Sequence, residues 1–286
     1  MEKTNLIKEN KDISELCLAL QKKCVIKTKK EQIIDRFEKQ VKNKPINLSN
    51  YNKNHCGKKG HWLEKQMDIK PNAENKPDLF GYEMKKSANK ISFGDWSASE
   101  YIYKPKDRIK KISCIDNRSD FLKIFGTPNQ EKNNRLSWSG KCCPRYNEVY
   151  TYCGQVLLVE EEGVGIYYEY HKDERINKED IIPDEIKRIC RENKYLLIAW
   201  WSNKKLKSHV ENKFNNNGFF ICYLDKTKKF YNKICFGPPF GYEFFLDELQ
   251  NHNIFFDSAM KFGNNRNYSV WRAKGDFWNN LINEEY

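Results

Sequence analysis

No stretch of this 286-residue chain approaches the roughly 18 consecutive apolar residues that span a membrane. The opening residues, MEKTNLIKENKD, lack the apolar core of a secretory signal. A cytoplasmic protein is therefore expected. No two of the ten cysteines stand three apart, so the CxxC pairs of a zinc site are missing. Without a secretion signal, a disulfide framework is not expected in a chain this long. Reduced, mostly buried cysteines are the plain reading. There is no internal repeat, no linker that clearly divides the chain, and no strict βαβ alternation.

What is present is charge. Lys and Arg number 51 against 39 Asp and Glu, a net charge of +12. Such an excess favours a polyanionic partner, because cations bound to phosphate release its counterions. A Lys- and Asn-rich composition also follows from an AT-rich genome, so the charge alone only leans toward nucleic acid.

Apolar spacing predicts a helix over residues 12–24, with Ile13, Leu16, Cys17, Leu20 and Cys24 on one face. A second helix is predicted over 30–42, with Ile33, Ile34, Phe37 and Val41. A loop at 43–58 precedes a short helix carrying Trp62, Leu63 and Met67. Residues 78–86 read as a strand, and 105–155 as strands and long loops. Hairpins are expected over 156–170 and 218–236, and a buried central strand over 195–201. A helix spaces Leu206, Val210 and Phe214 by four. Residues 247–251 and 276–285 read as helical, 253–260 and 268–273 as extended. The fold class is α/β (α+β), a mixed β-sheet flanked by helices. The chain reads as one unit of two lobes, about 1–155 and about 156–286, the second completing the core.

The informative segment is KPDLFGYEMKK, residues 76–86. Side chains on a strand alternate faces, so Glu83 and Lys85 project together while Tyr82 and Met84 turn to the core. Asp78 lies at the strand entrance or across a bend that Gly81 permits. Two carboxylates and an ammonium then converge. Carboxylates can hold Mg²⁺, a hard cation that keeps waters, and the cation polarises a phosphate and acidifies a bound water. A lysine can orient that water or stabilise the pentavalent phosphorus. The bland alternative is an edge strand with a solvated Glu–Lys pair.

This segment resembles the PD-(D/E)xK nuclease signature, in the form used by the MvaI/BcnI group of restriction endonucleases and the related mismatch-repair nicking enzyme MutH. GHWLE, residues 60–64, is similar to the Gly-x-x-Leu-Glu helix found upstream in that group, and PNAENKPD, ending at Asp78, to the loop before its first catalytic aspartate. Val25 to Thr28 also fits its N-terminal pattern, LKSHVENKF at 206–214 its Leu…Lys-Phe helix, and residues 256–272 its base-reading region.

The resemblance implies a restriction-endonuclease-like core and Mg²⁺-dependent cleavage of double-stranded DNA, with Mn²⁺ as a substitute. It gives Asp78, Glu83 and the Met84 carbonyl to the metal, Lys85 to the nucleophilic water, and Glu64 to a metal through water. Lys86 doubles the lysine, but Lys85 has the right parity. The products would carry a 5′-phosphate and a 3′-hydroxyl, at a short CC/GG-flanked site. Arg266 and Arg272 are the best guanine readers, Asp257 a cytosine acceptor and Lys261 a phosphate contact. Trp96, Trp200 and Trp201 read as core, and His252 as a surface histidine. Relatives act as monomers, with a DNA methyltransferase as genetic rather than physical partner. A MutH-like nickase, a non-enzymatic DNA-binding protein and a zinc-dependent nucleic-acid protein are the alternatives.

Overall fold

A capped amphipathic helix begins the part of the chain that the computed structural model describes, residues 27–51, 57–70, 74–146 and 150–286. Thr28 caps α1 (Lys29–Gln40): its hydroxyl accepts from the Glu31 N–H, and the Glu31 carboxylate accepts from the Thr28 N–H at 2.7 Å. Ile33, Phe37 and Val41, four apart, are fully buried. The next helix, α2 (Lys58–Gln66), buries Trp62 and Leu63 in the same cluster. The helix expected over 12–24, the Val25–Ile26 pattern and Cys17, Cys24 and Cys56 lie outside the described residues.

The strand expected over 78–86 is shorter than its apolar pattern suggests. It is β1 (Glu83–Lys86), followed by β2 (Lys90–Asp95) and β3 (Glu100–Tyr101). The stretch 105–155 contains a helix that its turn formers hide, α3 (Arg118–Phe125). Asn117 caps it by accepting from the Ser119 and Asp120 N–H groups, and Phe121, Leu122 and Phe125 enter the core. Then come β4 (Thr127–Asn129), β5 (Arg135–Trp138) and the expected hairpin of β6 (Cys153–Glu160) and β7 (Gly163–Asp173). After α4 (Lys178–Ile181) and α5 (Asp184–Asn193), the buried strand β8 (Leu196–Ser202) feeds α6 (Asn203–Phe214). The second expected hairpin is β9 (Phe219–Leu224) and β10 (Tyr231–Gly237). Helix α7 (Tyr242–Gln250) starts earlier than predicted and leads to β11 (Ile254–Asp257), β12 (Met260–Lys261) and β13 (Val270–Lys274). The helix expected over 276–285 is only α8 (Gly275–Asn280), because the chain then turns so that β14 (Glu284–Glu285) can pair with β10.

Among the described residues the strands form four sheets, ordered β1-β9-β10-β14, β11-β13-β2, β12-β5-β4 and β3-β8-β7-β6. The first is mixed: β1 runs parallel to β9, with Glu83 opposite Phe219 and Lys85 opposite Ile221, while β9 and β10 are antiparallel. Its two faces serve two cores by strand alternation. Met84, Phe220 and Cys222 pack with α1 and α2, whereas Phe219 and Ile221 join the larger cluster that includes Phe93, Phe214 and Trp278. Glu83 and Lys85 share that second face, under α6 and α8. The seven described cysteines are free, six of them buried, as expected. Trp96, Trp200 and Trp201 are core residues. No described helix is long and apolar enough to cross a membrane.

Candidate active site

A tight reversal sets Asp78 against β1. Leu79 and Tyr82 exchange backbone hydrogen bonds at 3.0 and 2.9 Å, with Phe80 and Gly81 between them in the left-handed region, φ 52° and 86°. Gly81 is required twice over. Its φ suits glycine, and a Cβ there would lie 2.7 Å from Asn217 Nδ2. Asn217 clamps the turn from the end of α6: its N–H donates to Gly81 O at 3.0 Å and its Nδ2 to Phe80 O at 2.8 Å. The reversal brings Asp78 Oδ2 to 2.9 Å from the Met84 N–H, which donates to it. The bend predicted at Gly81 is therefore present, and it folds the first carboxylate back over the strand.

On β1, Glu83 and Lys85 are both buried, at 2% and 8% exposure. Lys85 Nζ donates to Glu83 Oε1 at 2.7 Å and to Phe93 O at 3.3 Å, and sits 5.4 Å from the centre of the Phe214 ring. Lys213, on α6, reaches the same Glu83 Oε1 at 3.1 Å. One carboxylate oxygen thus meets two ammonium groups. The other, Glu83 Oε2, is buried and has no hydrogen-bond partner. Burial, then the Glu83 charge, push the Asp78 carboxyl up to about 7, against the pull of Lys85, the Met84 N–H and Lys213. Burial pushes the Lys85 ammonium down, and Lys213 adds to this while Glu83 and Asp78 oppose it.

The loop carrying Asp78 is braced. Asn75 Nδ2 donates to His209 O on α6 at 2.8 Å, and Asn75 Oδ1 accepts from Trp96 Nε1 at 2.8 Å. Trp96 and His209 stack with ring centres 5.6 Å apart. Burial and the flanking Lys205 and Lys213 hold the His209 imidazole down at about 4, so it is neutral at pH 7.

Asp78, Glu83 and Lys85 are therefore brought together, but Glu64 is not tied to them. It lines a cavity of about 680 Å³ with Asn47, Tyr51, His61 and Asp68. Among the described residues it makes no hydrogen bond or ion pair with the other three. No group of three or more histidine, cysteine or carboxylate side chains among the described residues is placed to hold a metal. The donor set at β1 is two carboxylates.

Of the proposed DNA readers, Asp257 and Arg272 lie on the β11-β13-β2 sheet, Arg266 on the approach to β13, and Lys261 on β12 of a second sheet. Asp257 and Asp95 both lie opposite Val270. Arg266, whose side chain is 63% exposed, pairs with Asp95 Oδ2 at 2.8 Å and covers the Tyr268 ring. Arg272 Nε lies 3.3 Å from Asp257 Oδ2 without hydrogen-bond geometry, and Asp257 Oδ1 accepts from the Gly140 N–H. Lys261 is half-buried on β12, opposite Ser137 of β5. Asp95 is two residues beyond Phe93, whose carbonyl touches Lys85, about 7 Å along the strand. His252 is exposed, as expected.

The family described as LlaMI restriction endonuclease matches residues 41–286. The chain belongs to that family. The type II restriction enzyme ScrFI of Lactococcus lactis subsp. cremoris is 38% identical over 270 residues, covering 89% of this chain and 97% of that enzyme. The restriction endonuclease MvaI, solved in complex with its cognate DNA substrate, superposes with a TM-score of 0.52 over 90% of this chain and 95% of its own. At 12% identity that likeness shows the fold alone. The type II restriction endonuclease class and the restriction-endonuclease-like fold expected from the sequence are thus both found.

In this member of the family, sequence reasoning left two site residues without a role. Lys213 follows Leu206 by seven and Val210 by three, which places it within the buried arc of α6. A lysine at a core-facing position is the signal that could have found it. Asn75 offered none, because its role depends on α6 and β2 meeting in space.

Proposed function

We propose that this endonuclease hydrolyses phosphodiester bonds of double-stranded DNA with Mg²⁺, or Mn²⁺ in its place, leaving a 5′-phosphate and a 3′-hydroxyl. The observation that carries the metal is Glu83 Oε2, buried without a partner beside the half-buried Asp78 carboxyl. A buried carboxylate oxygen left bare is costly unless a cation completes it. Two carboxylates suit Mg²⁺, which retains several waters.

Asp78, Glu83 and the Met84 carbonyl would hold the metal, and Glu64 enters only through water. The bound cation supplies charge to the scissile phosphate and a water of lowered pKa. Lys85, already against Glu83, orients the nucleophilic water and takes up negative charge as the phosphorus becomes pentavalent. Lys213 shares that second task from α6. Asp78 must be ionised to serve, so below about pH 7 the metal would have to displace its proton.

Arg266 and Arg272 read guanines of a short CC/GG-flanked site once DNA draws them from Asp95 and Asp257. Asp257 is then free to accept from a cytosine, and Lys261 contacts phosphate. The protein acts as a monomer, with a DNA methyltransferase as its genetic partner.

The test is cleavage of a sequenced plasmid by wild type and Lys85→Ala, each with Mg²⁺ and with EDTA, followed by end sequencing. Discrete fragments from wild type with Mg²⁺ alone are expected. No wild-type cleavage of several DNAs would overturn the reading.

A further inference from the structure

Three lysines outside the catalytic cluster are anchored around residues 98–101, where the carboxylate of Glu100 is taken up by backbone N–H groups. Lys104 and Lys106 are exposed on the loop after β3, and Lys205 is half-buried in the first turn of α6. None of the three forms an ion pair among the described residues. Their backbones are fixed. Lys104 N–H donates to Tyr101 O at 2.7 Å, and Lys106 N–H to the buried Glu100 carboxylate at 3.0 Å. That carboxylate also accepts from the Asp107, Arg108 and Ile109 N–H groups, so the whole loop is gathered on one anchor. Lys205 Nζ donates to Ala98 O at 3.0 Å, just before β3, the strand that the loop follows. The three charges feel one another: after burial, Lys106 and Lys104 are what push the Lys205 pKa down.

Arg108, on the same loop, meets both Glu160 and Glu162 at 2.7 Å. Like charges brought near one another repel, and an arriving polyanion relieves that repulsion. The cluster also continues into the catalytic site. Lys205, His209 and Lys213 stand on successive turns of α6, and His209 senses both lysines. Lys205 and Lys213 are eight residues apart, about 12 Å of helix, or three to four base-pair steps of DNA at about 3.4 Å each.

We propose that Lys104, Lys106 and Lys205 form a phosphate clamp that grips the DNA backbone a few base pairs from the bond cut at Asp78, Glu83 and Lys85. This rests on the nuclease reading above. Phosphate contacts carry no sequence information, so the clamp sets affinity and register and leaves site choice to other residues.

The experiment is fluorescence anisotropy of a labelled duplex in EDTA over a series of salt concentrations. It compares wild type, Lys104→Ala/Lys106→Ala, Lys205→Met, and a control, Lys226→Ala/Lys229→Ala, on the β9–β10 turn. Each lost phosphate contact should lower the slope of log K against log salt by about 0.9. The double variant should therefore lose nearly two slope units, and bind about tenfold or more weakly, with cleavage specificity unchanged. Lys205→Met should lose about one, and Lys104→Arg/Lys106→Arg should restore the slope. An unchanged slope, or an equal loss in the control, would overturn the clamp while wild-type binding and cutting leave the nuclease reading intact. Wild type that neither binds nor cuts DNA would overturn both.

Discussion

Replacing Asp78 by asparagine should make the metal-free protein more stable and catalytically dead. The amide keeps an oxygen to accept from the Met84 N–H and removes the charge. The ordinary carboxyl value of 3.8 rises to about 7 in the fold, because burial and Glu83 disfavour the ionised form. A raised carboxyl pKa means that the folded state holds its proton more tightly than the unfolded state. Stability is then untouched below the unfolded pKa, falls as pH rises between the two values, and stays low above the folded one. At 1.36 kcal/mol per pH unit, the full penalty above pH 7 is about 4 kcal/mol. Water still reaches this half-buried side chain, so about 2 to 4 kcal/mol is the working range. Thermal and urea unfolding of wild type and Asp78→Asn, in EDTA at pH 8 and pH 5, reads this directly. Asp78→Asn should melt several degrees higher at pH 8, with the gap falling by roughly half at pH 5. Mg²⁺ should narrow the gap at pH 8 by stabilising only the wild type. If Asp78→Asn is no more stable at pH 8, or if the gap widens on acidification, the carboxylate is not held against its own charge.

Lys213→Met should lower the cleavage rate by about 10²-fold while leaving duplex affinity in EDTA within a few-fold, measured by single-turnover cleavage and anisotropy. Asn75→Leu should break the bridge from Trp96 to α6; the expected result is a higher Mg²⁺ concentration for half-maximal cleavage, altered tryptophan emission, and a stability loss of about 1 to 3 kcal/mol from the buried Trp96 N–H left without an acceptor. Gly81→Ala forces a side chain into the left-handed region and onto Asn217, at a cost of about 1 to 3 kcal/mol by urea unfolding, and should shift the Mg²⁺ dependence of cleavage as Asp78 moves.

What the sequence showed and what it hid divide along a physical line. Period-two alternation put Glu83 and Lys85 on one face of β1 and Met84 on the other, and the strand does this. Spacing by four marked Leu206, Val210 and Phe214 as the inner face of α6. Local chemistry was enough for these. The end of the chain failed because Gly275 to Asn280 is helical only until β14 must reach β10, a pairing with residues some fifty positions earlier. Helix α3 failed for the opposite reason: it is short, and the turn formers around it include its own cap, Asn117. At the site, Lys85 was legible from parity on one strand. Lys213 and Asn75 were not assigned, since their roles appear only when α6 crosses over β1 and β2.

The charge inventory explains why such a site tolerates its own strain. Asp78, Glu83, Lys85 and Lys213 balance only when Asp78 is ionised, yet burial drives it toward the neutral form near pH 7. Without metal the pocket therefore leans positive, with two ammonium groups on one oxygen of Glu83 and nothing on the other. A divalent cation alone would deepen that excess, even as it satisfied Glu83 Oε2. A DNA phosphate alone would offset the lysines but meet the carboxylates. With Asp78 ionised the four side chains sum to zero, so a divalent cation and one phosphate together would leave the pocket at only +1, less than the cation alone would. On the proposed reading, metal and phosphate would each moderate the repulsion the other meets, so the two should enter this pocket together more readily than either alone.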